Sequence, residues 1–197
     1  MIFKMVLEKK YELNHREFVV LGLIAEFPSH AYSINQRIDK RGMREWTNIG
    51  KSSVYSDLNN LEKFGLVDSY REEVDNRIRK VYQITSVGSK ILKNRVIKVL
   101  RDFVGKNDPD FYMAFSLIPL LSKEEQFEAI SYSLEKIDEN KKALEQMLEE
   151  NSQMPLNVRG LFVHPIKVLE TDIEFLNWVL EELKKGKGDV SSESYNK

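Results

Sequence analysis

The residues best suited to chemistry lie on one face of a helix predicted over residues 51–64. On a wheel of 100° per residue, Leu58 and Leu61 fall within about 40° of Val54 and form a stripe for the core. The opposite face carries short hydrogen-bonding side chains with little charge, at Ser52, Ser56, Asn59, Asn60 and Lys63. Ser and Asn hold a helix less well than Glu or Lys. Such side chains suit contacts with base edges and phosphates in the major groove of DNA, and an ordinary solvated face is the alternative.

Cations near this helix suit contacts with phosphate. Lys51 and Lys63 lie at its two ends, and Arg77, Arg79 and Lys80 follow a turn-forming Asp75-Asn76 pair. Basic hairpins lie along phosphates or enter the minor groove, although nearby Glu72, Glu73 and Asp75 also fit a solvated loop. The predicted DNA-binding residues are Lys51, Ser52, Ser53, Tyr55, Ser56, Asn59, Asn60, Lys63, Arg77 and Arg79.

The charges divide the chain into two halves. Residues 1–106 hold 20 Lys and Arg against 13 Asp and Glu, a net charge of +7, whereas residues 107–197 hold 10 against 18, a net charge of −8. Only the first half suits a polyanion, so the two halves are predicted to have different roles.

Local signals in the first half predict three helices, a hairpin and a fourth helix. Asn14 and Glu17 predict a capping box for a helix over 14–27. Ser29 is predicted to cap a second helix, and Gly65 to end the third. Residues 66–71 and 80–84 have the length and composition of strands, and Thr85 is predicted to cap a helix over 86–104. This order is that of a winged helix-turn-helix.

The second half is predicted to be helical. Asp108-Pro109 opens a short helix over 111–118, and Ser122 with Glu125 predicts a capping box. Two series at spacings of three and four then predict apolar seams. They comprise Phe127, Ile130, Leu134, Ile137, Lys141, Leu144 and Leu148, then Ile166, Leu169, Ile173, Leu176, Leu180 and Leu183. His164-Pro165 is interpreted as a helix entry.

These elements predict a mainly α protein with three parts. Residues 1–106 form the winged helix-turn-helix domain with a two-stranded wing, residues 107–185 a helical dimerisation arm, and residues 186–197 a flexible tail. A lone pair of amphipathic helices leaves much apolar surface exposed to water, so the residues of both seams, apart from Lys141 and Ile166, are predicted to join two copies in a homodimer.

Three stretches of sequence resemble the PadR family of transcriptional regulators. They are Leu21-Gly22-Leu23-Ile24, Ala31-Tyr32-Ser33-Ile34 and the run from Ser53-Val54-Tyr55 to Phe64-Gly65-Leu66-Val67. Arg79-Lys80-Val81-Tyr82-Gln83-Ile84-Thr85-Ser86-Val87-Gly88 continues the resemblance, which covers about residues 16–100. One departure is Ser56, where the family commonly has Pro.

The resemblance implies a repressor that binds a palindromic operator in double-stranded DNA as a homodimer and is relieved by a small ligand or controlled by abundance. An apolar or aromatic effector is placed near Phe111, Phe115 and Trp178, although aromatic residues at helical spacing more often form core. The alternative is a winged-helix adaptor that binds protein and does not depend on DNA.

Composition and motifs argue against an enzyme and against a membrane protein. The chain is 42% hydrophobic and 31% charged, and its apolar runs are short, so no span is predicted. It has no Cys, which suits the cytoplasm. Gly50-Lys51-Ser52 copies the end of a P-loop without its first glycine. His15, His30 and His164 are scattered, so no metal or cofactor is predicted.

Overall fold

The computed structural model of the protein describes residues 11–74, 77–105, 108–150 and 153–188, except for the side chains of residues 74 and 77. The chain is mainly helical and has one small antiparallel sheet. It separates into two compact units, Met1–Val96 and Ile97–Lys197. The functional boundary at residue 106 stays a prediction, as does the flexible tail, most of which lies outside the described residues.

The first unit begins with three helices and a single helical turn. They are α1 (His15–Glu26), α2 (Ala31–Lys40), the turn α3 (Arg44–Thr47) and α4 (Lys51–Lys63). The capping box of α1 is confirmed, since Asn14 Oδ1 accepts from Glu17 N at 3.0 Å and Asn14 N donates to Glu17 Oε2 at 3.3 Å. Gly65 follows α4 with φ +70°, the left-handed conformation predicted for it.

Ser29 does not cap α2, so that prediction is wrong. It lies in a two-residue strand, β1 (Ser29–His30), and His30 precedes the helix. The Ser29 hydroxyl instead donates to Phe27 O at 3.0 Å and accepts from Arg37 Nη2 at 2.7 Å. A partner strand that is distant in sequence therefore outweighs the local capping preference.

The sheet has three strands rather than the two predicted. β2 (Val67–Val74) and β3 (Arg77–Ile84) form an antiparallel hairpin, called the wing from here on, and β1 pairs with the other edge of β3. Both wing strands are longer than predicted, because charged residues such as Glu72, opposite Arg79, continue the ladder where its faces are open to solvent. The Asp75-Asn76 turn lies outside the described residues.

Helix α5 (Ser86–Asp102) follows the wing. Thr85 caps it as predicted, with its Oγ1 accepting from Gly88 N at 3.0 Å. The helix ends two residues before the predicted Val104, and Gly105 follows with φ +81°.

The second unit contains three further helices and one 3₁₀ turn. They are α6 (Pro109–Ser116), the turn Ile118–Leu120, α7 (Lys123–Glu150) and α8 (Leu156–Lys184). Asp108 caps α6, since its Oδ1 accepts from Asp110 N at 2.9 Å. The predicted Ser122–Glu125 capping box is confirmed by contacts of 2.8 and 3.3 Å.

Pro165 lies inside α8, so its interpretation as a helix entry is wrong. Proline removes one amide donor and strains the preceding turn, yet the helix continues on both sides of it. The apolar positions that follow it, Ile166 and Leu169, are buried, so tertiary packing outweighs the local signal. No helix in the described ranges is long and apolar enough to cross a membrane.

Candidate nucleic-acid interface

Helix α4 presents the two faces that its sequence predicts. Val54, Leu58 and Leu61 are completely buried. Seven side chains are exposed on the other side: Lys51, Ser52, Tyr55, Ser56, Asn59, Asn60 and Lys63. The amides of Asn59 and Asn60 make no hydrogen bond to any part of the chain that the structure describes. Each amide therefore has both donors and an acceptor available for a partner molecule.

The hydroxyls of the two serines Ser53 and Ser56 are engaged within α4. Ser53 Oγ donates to Gly50 O at 2.7 Å, and Ser56 Oγ donates to Ser53 O at 2.8 Å. A hydroxyl has one proton to donate and two lone pairs, so in these rotamers both groups can only accept from a partner. Ser53 is also half-buried, which favours a structural part for it in the first turn of α4.

Asn35 and Arg44 position the start of α4. Arg44 donates from Nη2 to Asn35 Oδ1 at 2.7 Å and from Nη1 to the carbonyl oxygen of Ile49. Asn35 Nδ2 donates to Lys51 O at 3.3 Å. These bonds satisfy carbonyl groups in the segment that enters α4 and connect that segment to α2. Helix α4 is therefore held at a defined angle to α2, as a helix-turn-helix requires.

A buried carboxylate connects α4 with α1. Asp57 is 1% exposed, and its Oδ1 accepts from Arg16 Nη2 at 3.2 Å, while Oδ2 is buried without a partner in the described residues. Burial raises the pKa of Asp57, and the positive charge of Arg16 opposes that rise. This pair was not predicted, although the position of Asp57 beside the buried stripe of α4 on the helical wheel is a signal for it.

Arg79 and Lys80, two cations of the wing with described side chains, both lie near an acidic residue. Arg79 is half-buried opposite Glu72 in the β2–β3 register. It also lies near His30, whose pKa is lowered by burial and then by the charge of Arg79. Lys80 differs from the interpretation as a phosphate-facing cation, because its Nζ lies 2.6 Å from Glu62 Oε2 on α4. The side chain of Arg77 lies outside the described residues.

Comparison with known proteins identifies the first unit. Residues 20–94, which contain α4 and the wing, match the Transcriptional regulator PadR-like family. The chain belongs to the PadR-like family. Its members are regulators of transcription. No curated protein matches the sequence.

Solved structures with similarity to this PadR-like chain come from several bacteria. Bacillus subtilis PadR in complex with operator DNA is 17% identical, with a TM-score of 0.42 over 86% of this chain and 99% of that one. The Streptococcus mutans protein smu.1704 is 30% identical, with a TM-score of 0.36 over 43% and 77%. Bacillus subtilis PadR in complex with p-coumaric acid is 16% identical, with a TM-score of 0.37 over 88% and 99%. The family assignment rests on the match over residues 20–94.

The two seams of the PadR-like chain pack substantially within one copy. The seam residues Ile130, Ile137, Ile166, Leu169, Leu176 and Leu180 are buried. Leu134, Leu144, Leu148, Ile173 and Leu183 are half-buried, and Phe127 is 40% exposed. Lys141 bridges the helices, since its Nζ lies 2.8 Å from Glu145 Oε1 on α7 and 3.7 Å from Glu170 Oε1 on α8. The completely buried members therefore have little surface left for a second copy.

Other apolar side chains of α7 and α8 remain open to solvent. Leu156 is 88% exposed, Leu161 72% and Met147 50%. A shallow pocket lies beside them, lined by Met154, Leu156, Arg159, Gly160 and Val163. Single exposed apolar residues are common, but two leucines exposed to this extent on one helix are better suited to a partner than to water.

The aromatic residues predicted to hold an effector form a continuous series of rings. Phe111 stacks on Phe103 at 3.7 Å and is 3% exposed. Phe175 contacts Phe115 at 5.5 Å and Trp178 at 5.9 Å. Phe111 is thus core, as the alternative interpretation expected of such aromatics, whereas Trp178 is 55% exposed at the outer end of the series. Among the described residues, no cluster of His, Asp and Glu could hold a metal ion.

Proposed function

We propose that this protein regulates transcription by binding a two-fold operator in double-stranded DNA as a homodimer, and that it acts in the cytoplasm as a repressor. Its role is binding rather than catalysis. The observation that carries the proposal is the exposed face of α4 in a PadR-like domain. Asn59 and Asn60 present unengaged amides there, and this arrangement suits adenine and other base edges in a major groove.

The proposal divides the site into two kinds of contact. Ser52, Ser56, Asn59 and Asn60 contact bases, because their side chains hydrogen-bond over a short reach and carry no charge. Lys51, Lys63, Arg77 and Arg79 contact phosphates, which fix the register of a protein on the duplex without reading its sequence. Tyr55, which is 51% exposed beside them, supplies a ring for sugar and backbone contacts.

The DNA proposal is tested with Asn59→Ala and Arg79→Ala. The first is expected to weaken a duplex selected by the wild-type protein by about 1–3 kcal/mol per subunit and to leave binding to random DNA unchanged. The second is expected to flatten the log–log dependence of affinity on salt by about one unit per subunit, on every duplex. Fluorescence anisotropy over a range of salt concentrations measures both quantities.

The matched control is Asn94→Ala, the same substitution at an exposed position of α5, which should change neither quantity. Equal losses for Asn59→Ala and Arg79→Ala on all duplexes would contradict the division of contacts. If the wild-type protein binds no duplex in a salt-dependent manner, the adaptor alternative is favoured.

A small apolar or aromatic effector is proposed to bind beside Trp178, at the outer end of the series that includes Phe115 and Phe175. Exposed Trp rings stack on planar ligands. In a Trp46→Phe background, titration with phenolic acids and planar dyes is expected to shift or quench the remaining Trp fluorescence and to release DNA. The Trp178→Phe variant serves as the control. Unchanged fluorescence across a broad panel would indicate that Trp178 belongs to an interface instead.

A further inference from the structure

One carboxylate connects α4 to both strands of the wing. Glu62 lies in the last turn of α4 and is half-buried. Its Oε2 accepts from Lys80 Nζ on β3 at 2.6 Å, and its Oε1 accepts from the hydroxyl of Ser69 on β2. Lys80 Nζ also lies 4.9 Å from the centre of the Tyr82 ring, which is 6% exposed. We call Glu62, Ser69 and Lys80 the clamp.

Glu62 and Lys80, the two ionisable residues of the clamp, are both charged at neutral pH. The bonds from Lys80 and then Ser69 lower the pKa of Glu62, and the bond to Glu62 raises the pKa of Lys80. The two side chains are 33% and 47% exposed, and solvent screens ion pairs that are this open. The clamp therefore contributes little to the stability of the fold. Its main effect is on the position of the wing relative to α4.

The clamp is attached part-way along the wing, between its base and its tip. The base of the wing is already closed by Thr85 Oγ1, which donates to Gly65 O at 2.8 Å. Lys80 pairs with Arg71 in the ladder, several residues nearer the tip. Beyond this pair, Glu72 and Glu73 are exposed and Ile78 is 71% exposed. The clamp thus holds the wing to α4 close to where its free portion begins.

We propose that Glu62 is a positioning residue: it holds the wing to α4 through Ser69 and Lys80, so that helix and wing meet one duplex at a fixed separation. The inference rests on the DNA-binding function proposed above. A wing free to swing would have to be ordered on binding, and its contacts would fit many duplexes equally well. Lys80 is then part of the support rather than a phosphate contact.

The experiment compares Glu62→Gln and Lys80→Met with wild-type protein on two duplexes, one enriched from a random pool by the wild-type protein and one of random sequence. Both variants are expected to lower the ratio of the two affinities by about 5- to 10-fold. Lys80→Met should leave the salt slope unchanged. Glu62→Gln should steepen the slope by about one unit per subunit, because it frees Lys80 to reach phosphate.

Two further variants separate positioning from a general effect of charge. Glu73→Gln removes a carboxylate from an exposed position of the same wing and should leave the affinity ratio unchanged. The double variant Glu62→Lys with Lys80→Glu reverses the pair and should restore most of the ratio. Circular dichroism is expected to show each variant folded, with melting temperatures within a few degrees of one another.

The inference is overturned if Lys80→Met flattens the salt slope by about one unit per subunit, which would make Lys80 a phosphate contact. It is also overturned if Glu62→Gln and Glu73→Gln give the same affinity ratio. Either result leaves the proposed function standing, since the wild-type protein still binds DNA. Failure of the wild-type protein to bind either duplex would instead remove the proposed function, and the inference with it.

Discussion

Replacing Gly88 with alanine is expected to destabilise the first unit by about 3 kcal/mol or more, at the upper end of the cost of overpacking. A Cβ at this position would lie 2.0 Å from the carbonyl oxygen of Leu66 and 2.9 Å from its carbonyl carbon. That oxygen cannot simply withdraw, because it accepts a hydrogen bond from Thr85 N at 3.0 Å. The substitution therefore forces α5 away from Leu66, the residue that precedes the first strand of the wing.

Thermal and urea unfolding measure this effect, and a fall in melting temperature of roughly 10–20 °C is expected. Gly160→Ala is the matched control. Gly160 lies in α8, and no atom lies within 4 Å of the position that its Cβ would take. Its replacement should stabilise the chain by about 0.5–1 kcal/mol, since alanine loses less backbone entropy in a helix. Equal unfolding midpoints for the two variants would contradict the close approach at Gly88.

The second large effect is expected from charges placed on α8. Leu161→Asp should leave each chain folded but separate the proposed homodimer, because Leu161 is 72% exposed and faces water in one copy. Binding to the selected duplex should then fall at least 100-fold, since a single subunit reaches only half of a two-fold site. Sedimentation velocity measures the oligomeric state, and anisotropy measures the affinity for DNA.

Leu176→Asp is expected to behave differently. Leu176 is completely buried within its own chain, so an unpaired carboxylate there should destabilise the second unit by about 4–5 kcal/mol. Thr171→Asp, at an exposed position of the same helix, is the control and should remain folded and dimeric. A dimeric Leu161→Asp variant, or a stably folded Leu176→Asp variant, would refute this division between the surface and the core of α8.

Several features were predictable because their causes are local. The caps at Asn14, Thr85 and Ser122 depend on side chains that reach an amide three residues away. The two faces of α4 follow from the helical period. Gly65 could be placed at the end of α4 because few other residues accept a left-handed conformation there. In each case the residues that decide the structure lie within one or two turns of one another.

For the two seams, the spacing of apolar residues predicts the buried stripe but not its packing partner. The spacing of three and four indicates correctly that α7 and α8 each have an apolar stripe. It does not distinguish packing within a chain from packing between chains, since both bury the same stripe. In the structure, Ile137 and Leu176 are completely buried in one copy, whereas Leu156 and Leu161, outside the seams, are exposed. The proposed dimer surface is therefore the part of α8 around Leu156 and Leu161 rather than the two seams.

The sequence by itself determined the order of the long helices, the caps at Asn14, Thr85 and Ser122, the hairpin of the wing and the outward face of α4. The tertiary structure alone decided that Ser29 lies in a strand and pairs with Tyr82, that Asp57 is buried beside Arg16, and that Lys80 forms an ion pair with Glu62. The physical reason is the sequence separation of the partners. A cap or a helical face depends on residues that are close in sequence, whereas Arg16 and Asp57 lie 41 residues apart. Such pairs meet only when the helices and strands that carry them pack together.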